Sequence, residues 1–365
     1  MIAFILIFFG IYSLLHLYIY KKVCSGLSLS GRGKALLVAI LSLNTLSPTI
    51  WRTIDSAGNV SLTFITAFTS LFLMGAVVYF FLSGIAVDII SRFKPFSPGK
   101  KLGIIVSITA ILSIYSHIET YNLQVYRFTI ETNKLPSGVE LKILHISDLH
   151  LGPVMREDRI DMVRKVYERE KPDLIVATGD MVDGNMSGHD GLAKLLSEIN
   201  PPLGKFAVLG NHEFYRGYRQ AIEFMKRAGF RILRGEWAEA GNHIAVAGVD
   251  DDAGTKLGFD AKTDELKAIE GIDTRRFIIF IKHEPKLRDE TVKRIDLFLA
   301  GHTHGGVLFF VGYTVLRMIY FTDRGMAEIA PGKYAIVSKG VGTGGPPMRL
   351  FSPPDVVVIK LVGKG

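Results

Sequence analysis

Only one cysteine, Cys24, occurs in the 365 residues of this chain. That excludes a disulfide framework, a cysteine-built zinc site and an iron–sulfur cluster. It leaves the redox compartment open, since proteins on either side of a membrane can lack disulfides. Charge is scarce too, at 21% of the residues. With a mean hydropathy of +0.28, that scarcity points to membrane-spanning segments. Disorder is excluded, because 48% of the chain is hydrophobic and can bury a core. Acidic residues are nearly missing from the first third. Residues 1–120 hold three (Asp55, Asp88, Glu119) against nine Lys or Arg, a balance of +6. The other 245 residues hold 34 basic and 32 acidic groups, a balance of +2. The overall +8 therefore sits in the hydrophobic third, the pattern of membrane orientation rather than of a nucleic-acid-binding face.

The length suggests two or three domains. Residues 2–20 carry no Lys, Arg, Asp or Glu. Nineteen residues of helix span roughly 29 Å, about the thickness of a hydrocarbon core. A cleaved signal peptide carries its basic residues before the apolar run. Here Lys21 and Lys22 follow it, so the segment reads as a retained anchor. Further spans are expected at 35–51, 60–87 and 102–118. The second is the weakest, being short and holding Asn44 and Pro48. Buried core helices are the bland alternative, but four such runs in 120 residues leave too little polar surface to cover them. The loops set the orientation. Loop 21–34 has four basic residues and no acid, loop 88–101 has four and one, and loop 52–59 is neutral. By the positive-inside rule the first and last of these face the cytoplasm. The N-terminus and everything after about residue 120 then lie outside, provided 35–51 spans.

From about residue 140 the texture changes to strand–helix alternation. Strand-like runs fall at 141–146, 173–177, 205–209, 244–249, 277–281, 296–300, 334–338 and 356–361, with helical patterns at 157–170, 191–199, 218–228 and 285–294. That order implies α/β layers. Residues 121–140, with Pro136 and Gly138, read as the linker into a domain covering 141–365.

Most of the strand-like runs end in polar clusters: Ser147-Asp148-Leu149-His150, Gly179-Asp180-Met181-Val182-Asp183, Gly210-Asn211-His212-Glu213, Lys282-His283-Glu284 and Gly301-His302-Thr303-His304. In extended chain, residues i and i+2 share a side, so Asp148 with His150 and His302 with His304 are expected to converge. Sites in open α/β sheets form beyond the carboxyl ends of strands. Five separate segments thus bring carboxylates, imidazoles and one amide to a single edge. Oxygen and imidazole donors without thiolate suit Mn, Fe or Zn rather than Ca or Mg. Seven ligands exceed one tetrahedral site but fit two ions if a carboxylate bridges. Such a pair clamps the attacking and leaving oxygens of an in-line displacement and lowers the pKa of water. Each fragment alone reads more easily as turn residues; five in this order, each after an apolar run, do not.

These segments resemble the signature of the calcineurin-like metallophosphoesterases. The stretch from Val337-Ser338-Lys339-Gly340 through Pro346, Arg349 and Pro353-Pro354 resembles a membrane-associated branch of that superfamily, some of whose members have several N-terminal spans. The resemblance implies a four-layer αββα sandwich, here preceded by an all-α four-helix transmembrane region. It implies that Asp148, His150, Asp180 and His304 hold a first divalent ion. Asp180, Asn211, His283 and His302 hold a second, with Asp180 shared. The resemblance further implies that His212 faces the phosphate and protonates or stabilises the leaving oxygen, and that Asp183 orients His212. The pattern also leads one to expect a polar residue, commonly Gln, after Gly305-Gly306, where this chain has Val307.

The function expected is a membrane-anchored, dinuclear-metal phosphoesterase. Its substrate is a phosphomono- or phosphodiester, with a phospholipid or lipid-linked phosphate favoured by proximity to the bilayer, and no nucleic acid is expected. The alternatives are a non-catalytic metal-binding sensor coupled to the helices, favoured had a ligand or His212 been lost, and a transporter, favoured by charges inside the spans. Other histidines read as structural: His16 and His117 as packing near the spans, His145 as core or as support for a ligand, His189 and His243 as outside the motifs. Gly31-Arg32-Gly33-Lys34 reads as a basic membrane-flanking turn. The apolar stretch 307–321 reads either as core packing or as a rim that meets lipid.

Overall fold

The structure is a computed structural model that describes residues 2–215, 217–306, 317–320 and 322–364. It divides into two compact units. Ile118 closes the first, which also takes in Gly345–Met348; the second is Glu119–Gly344 with Arg349 onward.

The first unit is built from α1 (Ile2–Leu27), α2 (Gly31–Ser56), α3 (Val60–Phe93) and α4 (Pro98–Glu119). All four are long and apolar enough to cross a membrane. They outrun the apolar segments that announce them, because Lys and Arg continue a helix readily. They start where a cap is available. Ser30 Oγ accepts from Gly33 N at 3.4 Å and Asn59 Oδ1 from Leu62 N at 3.1 Å, taking up amides that the first turn leaves unpaired. The two residues that weaken 35–51 in sequence are accommodated. Pro48 has no N–H to give the carbonyl of Asn44, and Ser47 Oγ donates to that carbonyl instead, at 2.8 Å. The Asn44 amide nitrogen lies 3.1 Å from His16 Nε2. His16 Nδ1 faces the Tyr12 carbonyl at 2.7 Å, so Nδ1 carries the proton and Nε2 accepts from Asn44. On α4, His117 packs edge-on against Phe68 and Phe72 of α3. Near their basic ends α1 and α3 are joined by Lys22 Nζ, 2.5 Å from each oxygen of Asp88.

Among the described residues, the second unit has two six-stranded sheets. Its strands are β1 (Gln124–Thr132), β2 (Glu140–Ile146), β3 (Leu174–Ala177), β4 (Lys205–Ala207), β5 (Arg231–Ile232), β6 (Glu236–Ala240), β7 (Ile244–Gly248), β8 (Phe277–Ile281), β9 (Leu297–Ala300), β10 (Gly325–Ala330), β11 (Lys333–Val337) and β12 (Asp355–Gly363). One sheet runs β1-β12-β2-β3-β4-β5 and the other β10-β11-β9-β8-β7-β6. The stretch 121–140, expected as a linker, contains β1, which pairs in parallel with β12 over its whole length. Its alternating exposure hides it in sequence, since no continuous apolar run marks it.

Strand alternation sorts side chains into layers. Ile143, Val176, Ile279, Ile281, Leu299 and Ile359 meet between the sheets. Leu144, Ile146, Ile175 and Ala177 face outward under α5 (Glu157–Glu170), α6 (Asp190–Ser197) and α8 (Tyr218–Arg227). Ile278, Phe280 and Phe298 face outward from the second sheet onto Ala268, Ile272 and Ile295. The result is the mixed α/β, αββα arrangement that the sequence leads one to expect. The helical pattern at 285–294 yields only the turn Asp289–Val292, because Pro285 and the residue before it favour extended chain.

Candidate metal centre

β2, β3, β4, β8 and β9 deliver the residues of interest from their carboxyl ends, as the strand–cluster pattern requires. The local backbone is not extended, however. Asp148, His150, Asp180, His302 and His304 all have positive φ, between 49° and 70°. Asp148 Oδ1 and His150 Nε2 lie 3.9 Å apart, while His302 turns to His283 and Asn211 and His304 turns to His150 and Asp148; left-handed turns that curl each loop over the strand ends, rather than strand alternation, place them. Such conformations are unfavourable by about 1–3 kcal/mol each for residues with a Cβ, and they cluster at functional sites. The close approach also explains two glycines. A Cβ on Gly210 would overlap the Asp180 carboxylate, and one on Gly301 would overlap Ser147 Oγ and the Asp148 carboxylate.

Seven side chains converge. His150 Nε2 lies 3.2 Å from His304 Nε2 and 3.7 Å from Asp180 Oδ2. His304 Nε2 lies 3.5 Å from Asp148 Oδ1. On the other side of Asp180, its Oδ2 is 3.1 Å from His283 Nε2. His302 Nδ1 is 3.1 Å from both His283 Nε2 and Asn211 Oδ1. Asp148/His150/His304 and Asp148/Asp180/His283 each offer ligand atoms within 4.8 Å of one another, and so does His150/Asp180/His212.

The donor chemistry fits divalent cations. His283 Nδ1 faces the Thr178 carbonyl at 2.8 Å, a contact only an N–H can make. Its Nε2 then faces the Asp180 carboxylate, an arrangement that requires either a proton on that nitrogen or a cation between the two groups. Burial lowers the proton affinity of His283, but Asp180 outweighs it and holds the pKa well above the usual imidazole value. Asp148 Oδ1 is buried and has no hydrogen-bond partner among the described residues. Two imidazole nitrogens face each other at His150 and His304. Each of these is satisfied by a positive ion.

His212 Nδ1 lies 3.1 Å from Asp183 Oδ1. Burial opposes the imidazolium, yet Asp183 and Asp180 raise the His212 pKa to about 10. The His212 amide also donates to Asp180 Oδ1 at 2.9 Å. All nine side chains expected at the site, Asp148, His150, Asp180, Asp183, Asn211, His212, His283, His302 and His304, are therefore gathered there.

Three further residues support the site, and only His145 among them is read that way in sequence. Glu213, fully buried in α7 (Asn211–Tyr215), accepts the amides of Asp180, Met181, Val182 and Gly210 at 2.7–3.1 Å, tying the loops after β3 and β4 together. Burial first, then Asp180, raises its pKa to about 7. Arg349 is fully buried and donates to the carbonyls of Lys339, Gly340 and Gly342 at 2.6–3.0 Å, with His304 Nδ1 at 3.2 Å. A chain from His145 through Thr178 and Ser147 ends on Asp148 Oδ2, so His145 supports a ligand. Glu213 sits inside a motif already singled out, and Arg349 inside the stretch that resembles the membrane-associated branch, but the sequence assigns neither a role of its own. His189 is buried at the start of α6 and His243 lends its carbonyl to β8. Val307 and most of the apolar stretch 307–321 lie outside the described residues.

Two sheets whose strand ends present carboxylates and imidazoles as facing ligand sets form a candidate metal centre. Residues 141–306 match the family model for calcineurin-like phosphoesterases. The chain is 62% identical over 258 residues to a metallophosphoesterase of Aquifex aeolicus, covering 71% of this chain and 99% of that one. It is 28% identical to a zebrafish transmembrane protein with a metallophosphoesterase domain, over 70% of this chain and 61% of that one. A solved dimetal phosphatase from zebrafish is 14% identical with a TM-score of 0.38, over 55% of this chain and 88% of that one. The chain belongs to the calcineurin-like metallophosphoesterases.

Proposed function

We propose that this protein is a membrane-anchored phosphoesterase whose two divalent ions (Mn, Fe or Zn) act on a lipid-linked or lipid-proximal phosphoester on the outer face of the membrane. The convergence of Asp148, His150, His302 and His304 with His283 around Asp180 carries this reading. Asp148, His150, Asp180 and His304 would hold one ion, and Asp180, Asn211, His283 and His302 the other. When bound, such ions supply Lewis acidity and lower the pKa of water. The chain's own groups do the rest. Asp183 engages His212 Nδ1, so the proton available to the leaving oxygen is the one on Nε2. The raised pKa keeps that proton in place at neutral pH, as a general acid requires. Glu213 and Arg349 keep the loops from relaxing, so the ligands stay placed when the substrate arrives. Four apolar helices in the same chain support the membrane anchor, and the basic loops 21–34 and 88–101 support an external catalytic domain.

The full chain, purified in detergent and stripped with a chelator, tests this. It should hydrolyse p-nitrophenyl phosphate or bis(p-nitrophenyl) phosphate only after Mn is restored. Undiminished activity in protein shown to be free of metal would sink the proposal.

A further inference from the structure

The path of the chain constrains the edge that carries the metal ligands. β1 pairs in parallel with β12, Gln124 opposite Asp355, and the Gln124 amide donates to the Pro354 carbonyl at 2.9 Å. β12 runs antiparallel to β2, with Val357 opposite His145. The chain therefore enters this sheet at the carboxyl end of β2, where Asp148 and His150 lie. α4 ends at Glu119 and β1 starts at Gln124, a tether that at full stretch spans roughly 18 Å. A second link is shorter. Gly344 and Arg349 belong to the second unit, and Gly345–Met348, between them in the chain, to the first. A Cβ on Gly344 would lie 2.8 Å from His150 Cε1, and an Arg349 nitrogen is 3.2 Å from His304 Nδ1. Within the first unit, the Pro347 carbonyl is 2.9 Å from Nδ1 of His117, in the last turn of α4.

The same edge carries apolar side chains that the fold leaves in the open. Phe351 is 58% exposed and has a φ of 56°, in the left-handed region that favours glycine. Ser352 holds this turn in place, its Oγ donating to the His304 carbonyl at 2.9 Å. Tyr121 and Tyr126, on either side of the entry at Gln124, are both exposed. On the loop after β9, Thr303 Oγ1 donates to the Asp323 carbonyl at 2.6 Å and Arg324 to the Gly305 carbonyl at 2.9 Å. Arg317 Nε donates to Asp323 Oδ1 at 2.8 Å, which holds the turn Arg317–Ile319 beside that loop. Met318 in this turn is 85% exposed, and Ile319 is exposed too. Two arginines on the one carboxylate of Asp323 leave a net positive charge there.

Clustered exposed apolar side chains mark an interaction surface. Aromatic rings settle at the level of lipid headgroups, and arginines meet anionic lipid there. Lipid is the occupant that the chain path favours, because both links lead from the metal-bearing edge to α4, a helix long and apolar enough to cross a membrane. Resting on the membrane-anchored reading, we propose that the metal-bearing edge of the second unit lies against the bilayer. Phe351, Tyr121, Tyr126 and the turn Arg317–Ile319 enter the headgroup layer, and the metal centre meets its phosphoester at that level.

The test uses the full chain with Cys24→Ser, loaded with Zn and reconstituted in vesicles of phosphatidylcholine and phosphatidylglycerol, with and without nitroxide-bearing lipid. A single introduced cysteine carries an environment-sensitive fluorophore. Phe351→Cys probes the edge, and Met318→Cys stands in should Phe351→Cys not fold, as judged by bound Zn. Ile111→Cys, exposed on α4, probes the span. Arg275→Cys, just before the amino end of β8, probes the opposite end of the second sheet. The edge label should show blue-shifted emission and be quenched by the nitroxide lipid, and the label at position 275 should show neither. An edge label that behaves like the one at position 275, while the one at position 111 is quenched, overturns the proposal and leaves the anchor standing. A blue shift without nitroxide quenching means that protein rather than lipid covers the edge, and overturns it as well. Absence of quenching at position 111 removes the anchor and this proposal with it. Hydrolysis of soluble p-nitrophenyl esters tests the phosphoesterase reading separately, since none of the label readouts depends on turnover.

Discussion

At the scale of residues, Asp180 stands between His150 and His283 and also takes the amide of His212. Replacing it should therefore disturb both metal positions. Asp180→Asn is expected to abolish activity and to lower bound metal, as measured by elemental analysis. His212→Gln should keep the metal and lose activity by on the order of 10²–10⁴-fold, the usual range for a general acid. His212 also shares a group of close ligand atoms with His150 and Asp180, so metal content decides its role. If His212→Gln empties the site, His212 is a ligand. The nine site residues were legible in sequence because each lies in a short polar cluster after an apolar run. Glu213 and Arg349 were not, because their importance comes from burial and from backbone partners far along the chain. Glu213 meets amides some thirty positions earlier, a pairing no local pattern records.

At the scale of elements, continuous apolar runs announced the strands that are buried on both faces: β2, β3, β4, β7, β8, β9, β11 and β12. Edge strands β1, β5 and β10, and β6 with its alternating burial, carry weaker signals, since half of each needs no apolar side chain. The loop after β9 shows how tightly element ends are fitted. A Cβ on Gly301 would collide with Ser147 and with the Asp148 carboxylate. Gly301→Ala should therefore push Asp148 aside, destabilise the fold by about 1–3 kcal/mol as overpacking does, and weaken metal retention. Thermal unfolding together with metal titration checks this. A variant with the parent's melting temperature and metal affinity would show that the loop has slack the structure does not suggest.

At the scale of the molecule, the orientation of the chain in a membrane is a question of charge. By the positive-inside rule the basic loops 21–34 and 88–101 predict a phosphoesterase unit outside if α2 crosses. A reporter that works only after export, fused after the last residue, should be active, and protease added to intact cells or spheroplasts should reach the domain. Protection of the domain, with activity from a cytoplasm-only reporter, would mean that α2 does not span. Each Lys or Arg near the inner leaflet gains roughly 1 kcal/mol from anionic lipid, so inverting the chain would forfeit several such contacts. Sequence alone determined the four apolar segments, the αββα class and the candidate residues that the structure gathers around Asp180. Each of these depends on local pattern: the length of apolar runs, strand alternation, and polar clusters at strand ends. Tertiary structure alone decided that β1 joins the first sheet rather than serving as a linker. It also decided that left-handed turns bring the ligands together, and that Phe351 and Met318 lie exposed at the edge that carries them. Those outcomes depend on which distant segments come to lie side by side, and chain order does not fix that until the two sheets have packed.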